Sequence, residues 1–160
     1  MSTTDPSPAE LSTLPSAGLL RQLAAMIYDS LLIFAVLLFA ILVPVMINGG
    51  EAIEWNVWLL RFYLLLTVFF YYAWFWQKSG QTLGMRAWRI RVINEHGANP
   101  TFGVSFVRFA FALLSWACFG LGYLWRLFKP FTWHDRLSGT RVVLLPSPRE
   151  AAASEPGDEA

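Results

Sequence analysis

Apolar residues gather into three long stretches, and polar residues into the connections between them. The first stretch runs from about Leu19 to Ile47 with Pro44 near its end. The second, VWLLRFYLLLTVFFYYAWFW, covers 57 to 76 with Arg61 near its start. About 20 apolar residues carry a helix across the hydrocarbon core of a bilayer, and a long arginine near one end reaches the headgroups. These two stretches therefore predict transmembrane helices. The third, VSFVRFAFALLSWACFGLGYLWRLF, spans 104 to 128 with Arg108 and Arg126 near its two ends. After the second stretch the period changes. Trp88, Ile90 and Val92 alternate with Arg89 and Arg91, and NEHGANP at 94–100 supplies turn chemistry, which predicts a short strand and a turn. TRVVL at 140–144 is also strand-like, and the two strands can pair if both lie on one side of the membrane.

Orientation follows from the basic residues, because cytoplasmic loops retain Lys and Arg. The first connection carries Glu51 and Glu54 and nothing basic, whereas the second holds Lys78, Arg86, Arg89 and Arg91. The N-terminus and residues 77–103 are therefore predicted in the cytoplasm. Arg126, Lys129, Arg136 and Arg141 ask for the same side, and a single crossing by the third stretch would put them on the other. Gly120, Leu121 and Gly122 form a natural break, and two half-helices around it would enter and leave on one side if packed against protein. The fold class that results is an all-α polytopic membrane protein. It has two transmembrane helices, a third hydrophobic segment that is a re-entrant hairpin or a single span, and a small cytoplasmic strand pair.

Composition agrees that lipid is the solvent: 56% of residues are hydrophobic and 14% charged, against about 45–50% and about 25% in soluble domains. The eight Trp suit rings placed at membrane interfaces. A net charge of +1 argues against nucleic acid as a partner. The single cysteine, Cys118, excludes an intrachain disulfide and a thiolate zinc site. Residues 1–18 lack the basic start and apolar centre of a secretory signal, and their Ser, Thr and Pro predict a disordered tail. Residues 146–160 read the same way, which leaves 19–145 as the membrane domain.

Within that domain one residue is costly. Asp29 lies well inside the first apolar stretch, where a carboxylate costs roughly 2.5–3.5 kcal/mol on insertion scales. Arg21, eight residues earlier, lies about 12 Å away along a helix and is rotated by about 80°, so the two do not pair directly. Tyr28 and Gln22 are placed to extend a polar strip beside Asp29. Partners from other segments are Arg61, Arg108 and the run His134, Asp135, Arg136; Arg108 is preferred, because the charge count puts it at the cytoplasmic end. Elsewhere the chemistry is sparse. GQTLG at 80–84 lacks the Gly-Lys-Ser/Thr of a phosphate loop and reads as the start of a helix. His134 and Asp135 have no Ser or Cys nucleophile in a recognisable context, and His96 sits alone in a turn. No enzyme, metal or cofactor is expected. Lys78, Arg86, Arg89 and Arg91 are expected to meet anionic headgroups, at roughly 1 kcal/mol per charge.

Arg21 at the start of the first helix, Asp29 inside it and Asp135 in HDRLSGTRVV resemble the arginine and two aspartates that give the RDD family of membrane proteins its name. GQTLGMRAWRIRVI at 80–93, followed by Gly97 and Arg108, is similar to the middle section of that family, and HDRLSGT to its ending. The resemblance covers about 19 to 145. It implies a bacterial integral membrane protein, in the cytoplasmic membrane, for which transport is often suggested. Two functions fit the residues. In the first, Asp29 is a proton or cation acceptor, Arg21 and Arg108 tune it, Asp135 is a second acidic station, and a homo-oligomer encloses the path because one chain has little material to do so. In the second, the protein is a non-transporting adaptor in which Arg21, Asp29 and Asp135 form a structural polar lock.

Overall fold

The computed structural model describes residues 7–50, 57–117 and 133–147. In chain order the elements are α1 (Pro8–Thr13), α2 (Leu19–Ile47), α3 (Val57–Ser79), α4 (Leu83–Ala87), β1 (Ile90–Asn94), α5 (Phe102–Ala117), α6 (Trp133–Leu137) and β2 (Thr140–Leu144). Two of the helices, α2 and α3, are long and apolar enough to cross a membrane. They measure roughly 44 and 34 Å at 1.5 Å per residue, against about 30 Å of hydrocarbon. Their outward faces carry exposed Ile27, Leu31, Phe34 and Phe39 on α2 and Trp58, Phe62 and Trp74 on α3. Such a surface is stable only against lipid or another protein. Pro44 falls in the last turn of α2, and the Ala40 carbonyl that its missing N–H leaves open accepts from the Tyr63 hydroxyl at 3.0 Å. Apolar α5 is shorter, about 24 Å by the same rise. Its continuation through Gly120, Leu121 and Gly122 lies outside the described residues, as do Glu51, Glu54, Cys118, Arg126 and Lys129.

α3 packs against both α2 and α5, and α4 lies against α2. Phe69 sits at the α3–α5 junction, its ring 5.4, 5.7 and 5.3 Å from those of Phe102, Phe106 and Phe109. Below the helices, β1 and β2 pair antiparallel, with Val92 opposite Val142 and Ile90 opposite Leu144. Alternation gives the two faces of this pair different neighbours. Ile90, Val92 and Val142 join Ala25, Ala73, Trp76 and Phe109 in the main core, while Ile93 and Val143 turn the other way onto Leu11 of α1. A strand pair covered on both faces is thus the floor of the helical bundle.

Residues 7–18, which composition assigns to a disordered tail, are built into this floor. Ser7 and Glu10 form a capping box at the start of α1, and Pro8 takes the first helical position. Ser16 then bridges to Val143, Ala17 N–H donates to Val142 O at 2.9 Å, and Leu144 N–H to Pro15 O at 2.9 Å. Arg141 ties the outside by donating to Leu11 O and Ser12 O. Gly97, at φ +78°, lies so close under Pro8 that a Cβ there would overlap the Pro8 carbonyl. Composition misled because the tail gains its order by strand addition and one buried leucine, which need few apolar residues. The strand also begins later than the alternation from Trp88 suggests: Trp88 caps α4, and Arg89 turns the chain at φ 52° before β1 starts. Arg91 is only 8% exposed and donates to Asn99 Oδ1 at 3.1 Å, which removes it from the basic surface expected to meet headgroups. Lys78, Arg86 and Arg89 are exposed.

Candidate functional site

Asp29 is 2% exposed, one turn above Ala25 on the face of α2 that meets α4. Its partners are neutral donors. The Thr82 hydroxyl donates to Oδ2, while Gly84 N–H at 2.9 Å and the Tyr71 hydroxyl at 3.4 Å donate to Oδ1. Thr82 is also the N-cap of α4, its oxygen accepting from Met85 N–H at 3.2 Å. The first turn of any helix leaves backbone N–H groups without intrahelical partners, and here the carboxylate of another helix takes one of them. Gly84 permits the approach: a Cβ there would overlap Ala25 O and lie 2.8 Å from Asp29 Cγ. Hydrogen bonds to a charged group contribute about 1.5–3 kcal/mol each, so three of them offset much of the cost of burial.

Arg108, proposed from the sequence as the partner of Asp29, is bonded elsewhere. Its Nη1 donates to Asp135 Oδ1 and to Thr140 Oγ1, both at 2.5 Å, and its guanidinium lies over the Trp76 ring with Cζ 5.3 Å from the centroid. Ser138 Oγ extends the chain to Thr140 Oγ1 at 2.7 Å. Arg108 and Asp135 are 3% and 2% exposed, so this is a fully buried ion pair joining α5, α6 and β2. The physical reason for the re-pairing is reach: α6 packs on α5 and β2 on α6, which brings Asp135 and Thr140 to Arg108, whereas α4 occupies the polar side of Asp29.

The two clusters are nevertheless neighbours. Asp29 and Arg108 both line a cavity of about 280 Å³ between α2, α3 and α5, closed below by Ile90 and Val142. Gln22 lines it too, and its amide donates to Ala17 O at 3.4 Å. The other expected residues stand apart. Tyr28 is exposed, half-buried Arg21 makes no hydrogen bond or ion pair among the described residues, and the His134 side chain lies outside them. Thr82, Gly84, Tyr71, Trp76 and Thr140 were not singled out by sequence. Only Thr82 carried a signal, as the natural cap of the helix that GQTLG begins.

An aspartate on the first apolar helix facing the GQTLG turn, and a second one held by the arginine of the third stretch, are features of a recognisable kind. Compared with known protein families, residues 16–139 match the RDD family. The chain belongs to the RDD family. No curated protein and no solved structure matches the chain. Membership in this membrane family and two long apolar helices agree: the chain is a membrane protein. The matched span begins at Ser16, within the strap over β2, and ends at Gly139, directly before β2, so it holds Arg21, Asp29 and Asp135 together.

Proposed function

We propose that this RDD protein is a multi-pass protein of the bacterial cytoplasmic membrane that moves a small ion or solute, coupled to a proton or cation at Asp29. The observation that carries this is the placement of Asp29 and Arg108, two buried ionisable residues, on the walls of one cavity between apolar helices. Ionisable groups at membrane depth default to function because they are costly to keep. Three helices enclose little on their own, so the path is completed by a second copy. Flux in sealed proteoliposomes under a pH gradient tests the proposal, with wild type compared with Asp29→Asn. This substitution removes the ionisable group and little else, because Asn keeps a carbonyl for Gly84 N–H and its amide can donate to a Thr82 hydroxyl that has a lone pair free. Loss of flux with particle size and thermal stability retained is the expected result.

The second reading, an adaptor whose polar residues are a lock, is favoured by one observation: the hydrogen bonds to Asp29 from Thr82, Gly84 and Tyr71 tie α4 and α3 to α2. It expects Asp29→Asn to spare whatever the protein does. Both readings share a topology in which the N-terminus, α4 and the strand pair are cytoplasmic and the third stretch is re-entrant. Its support is that α5 is described as far as Ala117, and Asp135 is back beside Arg108, in the second turn of that same helix. A cysteine replacing exposed Arg136 is expected to react with a membrane-impermeant thiol reagent only from the cytoplasmic side, in a Cys118→Ser background; labelling from outside would support a single span.

A further inference from the structure

Arg89 holds a backbone conformation that its residue type avoids. Among the described residues it is the one non-glycine residue at positive φ, a region that Asn, Asp and His visit far more readily than Arg. The turn itself has an ordinary cause, since many helices end with a left-handed residue just past the cap, and glycine is its usual occupant. Here Trp88 is the cap of α4, and Arg89 N–H donates back to Arg86 O at 3.1 Å. The arginine is the departure, and strain of this kind tends to persist where a side chain has a use.

Its surroundings say what that use is. Arg86 and Arg89 are exposed, and among the described residues neither guanidinium makes a hydrogen bond or an ion pair. Residues three apart at a helix end lie about 5–6 Å from each other, close enough for two long side chains to close on one phosphate. No carboxylate competes: between Arg61 and Glu95 the chain has neither Asp nor Glu, and Asp29 is buried against Gly84 with its bonds made. Exposed Leu83 and Trp88 flank the two arginines with apolar surface. α4 follows directly on the end of α3, where Lys78 lies over the exposed Trp74 ring, its Nζ 5.6 Å from the centroid. Cations mixed with indole and leucine at the end of a spanning helix suit the headgroup layer. A zwitterionic headgroup would bring its own ammonium against the guanidiniums, so the fitting ligand is anionic.

The inner face of α4 is the one that serves Asp29. Thr82 and Gly84 donate to the carboxylate, and Met85 lines the cavity. A helix of five residues has little stability of its own and stays where its contacts hold it. We infer that the outer face of α4 binds the phosphodiester of an anionic phospholipid between Arg86 and Arg89, and that the bound lipid keeps α4 seated on Asp29. The inference deepens the transport reading by naming what regulates its site. It rests on that reading only for what is regulated, and on the proposed topology only for the leaflet, which is the cytoplasmic one.

The test uses the full chain in detergent, with bound lipid counted by native mass spectrometry as phosphatidylglycerol or phosphatidylcholine is titrated in. Wild type is expected to bind phosphatidylglycerol at least about tenfold more tightly. Arg89→Gly, which suits the left-handed turn better than arginine does, is expected to weaken that binding by about fivefold while the thermal midpoint holds or rises. Arg86→Gln is expected to weaken it by a similar factor, and Arg61→Gln, at the opposite end of α3, to leave it unchanged. In nanodiscs the Gly84 amide, which is bonded to Asp29, is expected to exchange about tenfold more slowly in phosphatidylglycerol than in phosphatidylcholine, and Arg89→Gly to erase the difference. Equal affinity for the two lipids, wild-type preference in a folded Arg89→Gly protein, an equal loss in Arg61→Gln, or displacement of the lipid by millimolar inorganic phosphate would each overturn the site. Gly84 exchange that ignores lipid charge would overturn the seating on Asp29. If Arg89→Gly does not fold, Arg86→Gln decides. Binding and exchange are read without flux, so a negative proteoliposome experiment leaves this result standing.

Discussion

Asp29 and Asp135 are equally buried, each 2% exposed, yet they are satisfied in opposite ways. Asp135 has a full opposite charge at 2.5 Å on Arg108. Asp29 has a hydroxyl, a backbone N–H and a phenol. A charge pair leaves little reason for either partner to change state, since neutralising one strands the other. A carboxylate held only by neutral donors has no cation to lose, and its donors can rearrange around a protonated or amide form. A buried charge pair and a buried carboxylate bonded by neutral donors thus stand side by side, although the sequence singled out both aspartates by the same resemblance.

The largest effect should come from the charge pair. Arg108→Met leaves Asp135 buried without its cation and is expected to destabilise by about 3–5 kcal/mol, read by thermal unfolding in detergent. Arg108→Met with Asp135→Leu should recover most of that loss, because an apolar pair has no unpaired charge. If the single substitution costs no more than Asp29→Asn, the distinction between the two aspartates fails. Next comes the approach of α4 to α2. Gly84→Ala drives a methyl group into Asp29 and Ala25 O, and a cost of about 1–3 kcal/mol is expected, as for other overpacked sites. Asp29→Asn should cost less than Gly84→Ala, since it exchanges one carboxylate oxygen for an amide group of nearly the same volume and leaves the fit intact.

The smallest effect lies at the far edge of the floor. Burial hardly touches Glu10; the Ser7 backbone N–H, and then the Ser7 hydroxyl, hold its carboxyl below the usual carboxylate range. A carboxylate lowered on folding adds stability above its unfolded pKa and loses it as pH falls through the folded value. The order of α1 is therefore expected to weaken only in acid, measured as faster amide exchange across Pro8–Thr13, and Glu10→Gln should remove the pH dependence. Neither aspartate cluster should respond to that substitution.

Much of the floor was legible one strand at a time. The alternation from Ile90 and the run TRVVL carry strand chemistry in themselves, but the order of residues 7–18 is not visible there. Low apolar content fits a free tail and equally a strap that uses its backbone N–H and C=O groups, and the two are distinguished only by whether an open strand edge is nearby. The partner of Asp29 was hidden for a similar reason. Its donors, Thr82 and Gly84, are 53 and 55 residues away along the chain. Neither is charged, and charge was the only partner signal that the sequence displayed.

Hydropathy, length and the presence of an aspartate inside an apolar helix are properties of a segment by itself. They predicted the lipid solvent, the two long helices and Asp29 as a candidate, while Arg21 and Asp135 joined it through the resemblance to the RDD family. Which charge meets which is a property of pairs of segments, and only the tertiary structure decided it. Close packing of α4 on α2 left room at Asp29 for a hydroxyl and an N–H, while α6 brought a carboxylate within reach of Arg108. The cavity belongs to the same category, because a void between three helices exists only once all three are in place.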